Sequence, residues 1–233
     1  MDTNSTSECS DWKFIGCDAT LTHVERINPV NEYTNLTGTI PASLANLTQL
    51  QLLNIRNEPN LVGDFPDVLA SPLLEAVRVE NCGLDGTVGP FTDCVLNGTL
   101  RLSGNALRDI HPSIGNCDGI SWIELSFNNL SLSVMPNLTG LASLETFGVS
   151  DNNITAPFPD YRAHSTLKVF SAANNNFYGT IPAVLPPALR VLDLSRNNVR
   201  LVSLEGVIRC CTLCNRAACT PAHKLLELNA CMR

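Results

Sequence analysis

Cys210, Cys211, Cys214 and Cys219, with His223 close behind, form the densest group of metal-capable side chains in the sequence. Thiolates and imidazoles hold zinc when four of them converge, and the step from Cys211 to Cys214 has a suitable pitch. The rest of the group does not follow suit. His223 comes only four residues after Cys219, and the spacing matches no common zinc module. A disulfide-bonded insertion or cap is the favoured reading, and no metal ligand is assigned. The other histidines, His23, His111 and His164, are scattered, and none shares a register with a carboxylate or nucleophile. No G-x-S-x-G elbow, phosphate loop or metal-spaced His/Glu set is present. The chain is expected to be no enzyme and to use no cofactor. What remains is recognition chemistry, carried by arginine, aromatic and carboxylate side chains, and those need an element that sets them side by side.

That element is a phrase recurring every 22 to 24 residues. LETFGVSDNNI (144–154), LKVFSAANNNF (167–177) and LRVLDLSRNNV (189–199) fit L-x-x-L-x-L-x-x-N-x-L, with the key residue at Asn152, Asn175 and Asn197. Counting back places the same slot at Asn128, Asn105, Cys82, Glu58 and, less clearly, Thr34. A fixed period of this length implies a stack of short coils, one elongated unit rather than two globular domains. Within each unit the alternation has strand spacing. Ile123 and Leu125 therefore point inward, while Trp122, Glu124, Ser126 and Phe127 point outward. Roughly 15 residues remain for the return, so successive strands must lie parallel. The slot asparagine is expected to bond backbone groups that the adjoining bend strips of partners, with Cys82 filling the slot as a small buried group.

After the slot come NLTGTIP (35–41), NLVGDFP (60–66) and NFYGTIP (176–182), with Ala156 replacing the glycine in NITAPFP (153–159). These read as extended returns, because proline stops a helix and glycine frees the backbone. Units 96–119 and 120–143 lack this ending and are expected to be less regular. The combined pattern resembles the plant-type subclass of leucine-rich repeats. CSDWKFIGCD (9–18) resembles that subclass's paired-cysteine N-terminal cap, through Cys9, Trp12, Gly16 and Cys17. The resemblance covers residues 9 to about 205. It extends to receptor-like kinase and receptor-like protein ectodomains, polygalacturonase-inhibiting proteins and protist surface proteins.

The fold it implies is an α/β leucine-rich-repeat solenoid, a curved horseshoe. A parallel sheet lines the concave face, and irregular, 3-10 and short-strand returns form the convex side. The implied organisation is a cap over 1–22 with a Cys9–Cys17 disulfide, about eight repeats over 23–209, and a cysteine-rich insertion or cap over 210–233. Within that last segment LLELNAC (225–231) repeats the strand pattern, with Leu226 and Leu228 inward and Cys231 in the slot. A ninth unit thus begins there, and the chain reads as a fragment of a longer protein. Cys94 and Cys117 each lie 12 residues after their own slots, at 82 and 105. Equal register puts them on adjacent coils about 4.7–4.9 Å apart, within disulfide reach.

Seven N-x-S/T sequons, at Asn4, Asn35, Asn46, Asn97, Asn129, Asn137 and Asn153, accompany ten cysteines. Both features point to the secretory pathway and an extracellular or cell-surface location. A cytosolic scaffold, with reduced cysteines and bare sequons, is the alternative. MDTNSTSECS at the start has no apolar signal-peptide core, so either the chain is a mature form or its N-terminus is incomplete. The net charge of −7 disfavours nucleic acid and anionic membrane surfaces. No apolar run is long enough to span a bilayer, so no direct membrane contact is expected of this segment.

Aligning the slots yields the outward columns of the sheet. Arg56, Arg78 and Arg101 fall on the N-terminal half, Glu124, Asp151 and Asp193 on the C-terminal half, with Trp122 and Phe127 between. Arginine and aromatic residues dominate interface hot spots, which makes Arg78–Arg101–Trp122–Phe127 the central candidate. Merely solvated columns, with Trp122 packed along a coil edge, are the other reading. Asn35, Asn129 and Asn153 all follow the slot by one place, so glycans there would line one lateral edge and leave the concave sheet free. The expected function is non-enzymatic recognition of a protein, peptide or glycan, as part of a receptor-like or surface-attached protein that could also engage a co-receptor. A secreted inhibitor or adhesion protein of the same fold is the second reading.

Overall fold

A computed structural model describes residues 13–29, 35–201 and 227–228. In chain order its first strands are β1 (Ile15–Cys17), β2 (Val24–Ile27), β3 (Leu52–Arg56), β4 (Val62–Phe65) and β5 (Ala76–Glu80). Next come β6 (Gly83–Val88), β7 (Thr99–Arg101), β8 (Asp109–Ile110), β9 (Trp122–Glu124) and β10 (Thr146–Gly148). The last are β11 (Val169–Ser171), β12 (Tyr178–Ile181), β13 (Val191–Asp193), β14 (Asn198–Leu201) and β15 (Glu227–Leu228).

Ten of these form one sheet in the order β1-β2-β3-β5-β7-β9-β10-β11-β13-β15. All its pairs are parallel except the opening β1–β2 hairpin. Register is unbroken along it: Leu53, Val77, Leu100, Ile123, Phe147, Phe170 and Leu192 stand opposite one another in turn. Each of these is at most 2% exposed, so the column is a continuous apolar spine. Phe147 and Phe170 stack in it with nearly parallel rings 5.7 Å apart. The chain is thus a leucine-rich-repeat solenoid with a parallel concave sheet.

The returns pair into a three-stranded sheet, β4-β6-β8, and a two-stranded one, β12-β14. β8 is only two residues long, and no strand forms over 129–145. Those stretches belong to the units lacking the Gly-x-Ile-Pro ending. The helical content among the described residues is two 3-10 segments, Ala42–Asn46 and Pro112–Asn116, each entered through or just after proline. A return this short leaves no room for a longer helix.

Every slot asparagine is tied into backbone. Asn128 Nδ2 donates to the carbonyls of Leu125 in its own coil and Leu102 in the preceding one, while its Oδ1 accepts the Leu107 N–H. Asn105, Asn152, Asn175 and Asn197 donate in the same way. Glu58 Oε2 takes over the acceptor half, receiving the Leu36 N–H at 2.8 Å. Cys82 fills its slot as a buried free thiol whose pKa is raised by burial.

Cys94 and Cys117 are disulfide-bonded with Cα atoms 5.1 Å apart, stapling neighbouring coils. Cys17 is disulfide-bonded as well, while its expected partner Cys9 lies outside the described residues. So do Trp12, the Cys210–Cys219 group and His223. β15 pairs with β13 through Val191–Glu227 and Leu192–Leu228. Leu228, and not Leu226, therefore stands in the spine register. A shift of two keeps the same face inward, which is why the residue pattern alone does not distinguish the two registers.

Two outcomes test this account. Asn175 is 7% exposed and its amide serves both Val149 and Ile154. Asn175→Ala should cost about 2–3 kcal/mol in denaturant unfolding, since it orphans buried backbone groups. His164 is buried with no partner on Nε2, and burial depresses its pKa below the ordinary imidazole value. The unfolded chain then takes up a proton near pH 6.5 that the folded chain resists. Stability should fall as pH drops from about 6.5 toward the lowered folded value, and His164→Leu should flatten that slope in midpoints measured between pH 7.5 and 5.

Candidate functional site

On the concave face the residue just before each slot turns the chain out of the strand. Asn57, Asn81, Gly104, Phe127, Asp151, Asn174 and Arg196 all occupy it with φ between 53° and 71°. From Asn57 to Asn174 their N–H groups continue the sheet by bonding the next coil, as in Phe127 to Ser150 O at 2.9 Å. Left-handed backbone suits Gly, Asn and Asp, which hold five of the seven positions. Phe127 and Arg196 are the costly occupants. Phe127 is also 62% exposed, so it gains little packing in return.

Strands β5, β7 and β9 bring the central candidates together. Arg78 and Arg101 are direct neighbours across β5 and β7, and Arg101 in turn faces Glu124 across β9. The Arg101 guanidinium lies over the Trp122 ring at 3.9 Å, a cation–π stack. Buried nitrogens without a hydrogen-bond partner collect here: Arg78 Nε, Arg101 Nε and Trp122 Nε1, with Thr99 Oγ1 beside them. Thr99 carries no signal in the residue pattern; it enters the site by pairing with Trp122.

The other expected residues are placed apart from this cluster or are already engaged. Arg56 Nε lies 3.1 Å from Glu80 Oε2, an ion pair without a hydrogen bond's alignment. Glu124 Oε1 accepts the Ser126 N–H at 3.0 Å. Asp151 accepts from Asn174 Nδ2, and Asp193 accepts from both the N–H and the hydroxyl of Ser195. The outward column is also less open than alternation suggests. Ser126 is buried, because its Oγ accepts the Ser150 N–H, and Ser150 Oγ receives Ala173 N–H likewise. Asn54 is buried against Asn28.

Six sequon asparagines, at 35, 46, 97, 129, 137 and 153, are exposed, and Asn4 lies outside the described residues. Asn35 and Asn153 accept hydrogen bonds from Asn60 and Asn176 of the following coils. Among the described residues no group of His, Cys, Asp and Glu side chains is arranged to hold a metal ion.

Comparison with known proteins agrees with this geometry. No protein-family model matches the chain. Receptor-like protein 18 of Arabidopsis thaliana is 32% identical over 168 residues, a match spanning 70% of this chain and 20% of the relative. Receptor-like protein 7 from the same plant is 28% identical, spanning 66% of this chain and 16% of the relative. Among solved structures, the leucine-rich-repeat ectodomain of the receptor kinase GASSHO1/SCHENGEN3 from Arabidopsis, in complex with CASPARIAN STRIP INTEGRITY FACTOR 2, superposes with a TM-score of 0.73 at 28% identity. It covers 85% of this chain and 24% of that one. The Arabidopsis HAESA ectodomain, in complex with an extended IDA peptide hormone, gives 0.59 at 26% identity over 70% of this chain and 28% of that one. The chain thus spans about a fifth of the first relative and about a quarter of the first ectodomain.

The strain at Phe127 gives a direct test. Phe127→Asn should raise unfolding stability by about 1 kcal/mol, the usual left-handed penalty of a bulky residue. A loss of stability in chemical denaturation would show instead that the ring is held by packing.

Proposed function

The chain is a plant-type leucine-rich-repeat protein, and we propose that its concave face recognises an extended peptide or protein ligand at the Arg78–Arg101–Trp122–Phe127 patch. The module is non-enzymatic, like the receptor ectodomains it matches. The observation that carries the reading is the state of the central side chains. The Arg101 guanidinium lies over the Trp122 ring, buried donors on three successive strands have no acceptor, and the exposed Phe127 ring is kept on strained backbone. Strain and unmet donors at one place are what a binding surface retains and a scaffold surface loses.

Two further observations support the peptide class. GASSHO1/SCHENGEN3 and HAESA were each solved in complex with a peptide or named factor. The sequons Asn129 and Asn153, one place after the slots of adjacent coils, are exposed, and we read them as lining a lateral edge. Glycans there would leave the concave sheet clear. With sequons, a disulfide staple between coils and receptor-like relatives, the module is read as extracellular or cell-surface, within a longer receptor-like protein.

Panning a displayed random-peptide library on the native chain tests the reading. Selected peptides should lose about 30-fold in affinity, roughly 2 kcal/mol, against Arg101→Ala, Trp122→Ala or Phe127→Ala, and be indifferent to Asn129→Gln and Asn153→Gln. Peptides that bind all three alanine variants as well as the native chain would move the site elsewhere.

A further inference from the structure

We propose that Asn97 is a site of spontaneous covalent change, where the Gly98 backbone nitrogen displaces the side-chain amide and converts the residue to aspartate or isoaspartate. The inference goes beyond the concave-face reading and needs no ligand.

Asn97–Gly98 is the only Asn-Gly step in the sequence. Such a step reacts when the amide and the following nitrogen are both free and no side chain on the second residue hinders ring closure. All three conditions hold here. Asn97 is exposed, and among the described residues neither its side chain nor the Gly98 N–H makes a hydrogen bond. The sequon asparagines Asn35, Asn137 and Asn153, by contrast, have their side-chain oxygens engaged and are followed by leucine or isoleucine.

The free N–H is peculiar to this coil. At the same register Gln51, Glu75, Ser121, Glu145, Lys168 and Arg190 each donate their N–H to the carbonyl one coil back, as Ser121 does to Gly98 O at 2.8 Å. Gly98 departs from them because of how closely it approaches the preceding coil. A Cβ there would collide with the Glu75 carbonyl oxygen, and that oxygen takes the Thr99 N–H alone, at 3.0 Å. Packing therefore demands glycine after Asn97, and the same packing leaves its nitrogen unpaired.

The step balances with water as the sole co-reactant. The Gly98 nitrogen loses its proton and bonds to Asn97 Cγ, while the bond from Cγ to the side-chain nitrogen breaks. That nitrogen takes up the proton and leaves as ammonia, and a cyclic imide remains. Water attacking Cγ gives aspartate. Water attacking the main-chain carbonyl gives isoaspartate, with the chain rerouted through Cβ and longer by one methylene. Conversion also excludes glycosylation, because it removes the amide nitrogen of the Asn97–Thr99 sequon. Thr99 Oγ1 is buried, so a glycan has to be attached before β7 packs.

Isoaspartate would reach the central patch through Gly98 O. That oxygen accepts the N–H groups of Ser121 and Trp122, at 2.8 and 3.3 Å, and the Ser121 hydroxyl at 3.1 Å. A methylene inserted just ahead of it displaces the start of β9, and with it the pairing of Thr99 and Arg101 with Trp122 and Glu124.

The test uses the full chain secreted into the bacterial periplasm, where disulfides form and no N-glycan is added. After incubation at mildly alkaline pH, reduction and trypsin release the peptide 79–101, which also contains Asn81 as an internal control. Tandem mass spectrometry should show the Asn97 form lost to two products of equal mass, aspartate and isoaspartate, with Asn81 intact. The loss should quicken as pH rises, since the attacking nitrogen must first give up its proton, and Asn97→Gln should abolish it. Conversion no faster than at Asn81, or seen in urea but not in the native chain, overturns the site. The isoaspartate fraction should then unfold at lower urea than Asn97→Asp, which carries the same charge without the added methylene. Equal midpoints overturn the coupling to β9. Neither failure touches the concave-face reading, which the library result on the fresh chain decides.

Discussion

The asparagine amide at the end of each concave strand is the interaction on which the rest of the molecule depends. A chain leaving a strand for a return of some fifteen residues strips several carbonyls and N–H groups of partners, and the apolar coil interior offers none in their place. Asn128 resolves this by bonding Leu125 O of its own coil, Leu102 O of the preceding coil and Leu107 N–H of the preceding return. One side chain thereby fixes the bend and also fixes coil to coil. Asn152, Asn175 and Asn197 repeat all three bonds, and Asn105 repeats the two it donates. At the N-terminal end Glu58 and Cys82 stand in, and each supplies a smaller share of that bonding through its own chemistry.

Once the ladder sets the bend, the residue before it has no freedom left. All seven positions take left-handed backbone, and in the six from Asn57 to Asn174 the N–H reaches the next coil while the chain reverses. Asparagine, aspartate and glycine take that conformation at little cost. Phe127 does not, and the cost is borne by the packed spine behind it, where Ile123 and Leu125 are fully buried. The stiffness of the stack is what permits a strained, exposed ring on its surface.

Much of this was legible in the residues, and the limit falls at a definite place. The spine at Leu53 through Leu192, the slot asparagines and the equal register of Cys94 and Cys117 all follow from period and strand alternation, since both are properties of backbone position. Those same rules put Arg78, Arg101 and Trp122 on neighbouring strands. They leave open where a long side chain goes next. Arginine and glutamate have several rotatable bonds, so Arg101 lying on Trp122 and Glu124 turning to Gly148 are decided by what the adjacent coils leave empty. The burial of Ser126 is of the same kind, set by an N–H one coil away. The register of β15 differs for another reason: a displacement of two residues preserves the inward face, so hydrophobic pattern cannot choose between the alternatives.

Charge on such a sheet is sorted by adjacency rather than by sum. Strands about 4.8 Å apart make every outward side chain answer first to its two neighbours. On the N-terminal side Arg56 answers to Glu80. On the C-terminal side Asp193 answers to Ser195 and Asp151 to Asn174. These acids are drawn into capping backbone and amide groups within the sheet, where they add to its order and little to its reach. The centre is where the sorting fails to close: Arg78 has Arg101 beside it, and Glu124, the neighbour able to neutralise Arg101, is accommodated on the far side by the absence of a side chain at Gly148. Among the described residues, an acidic chain thus keeps two adjacent arginines without an ion pair on its concave face. Much of the remaining polar surface of the face is used to hold the coils together.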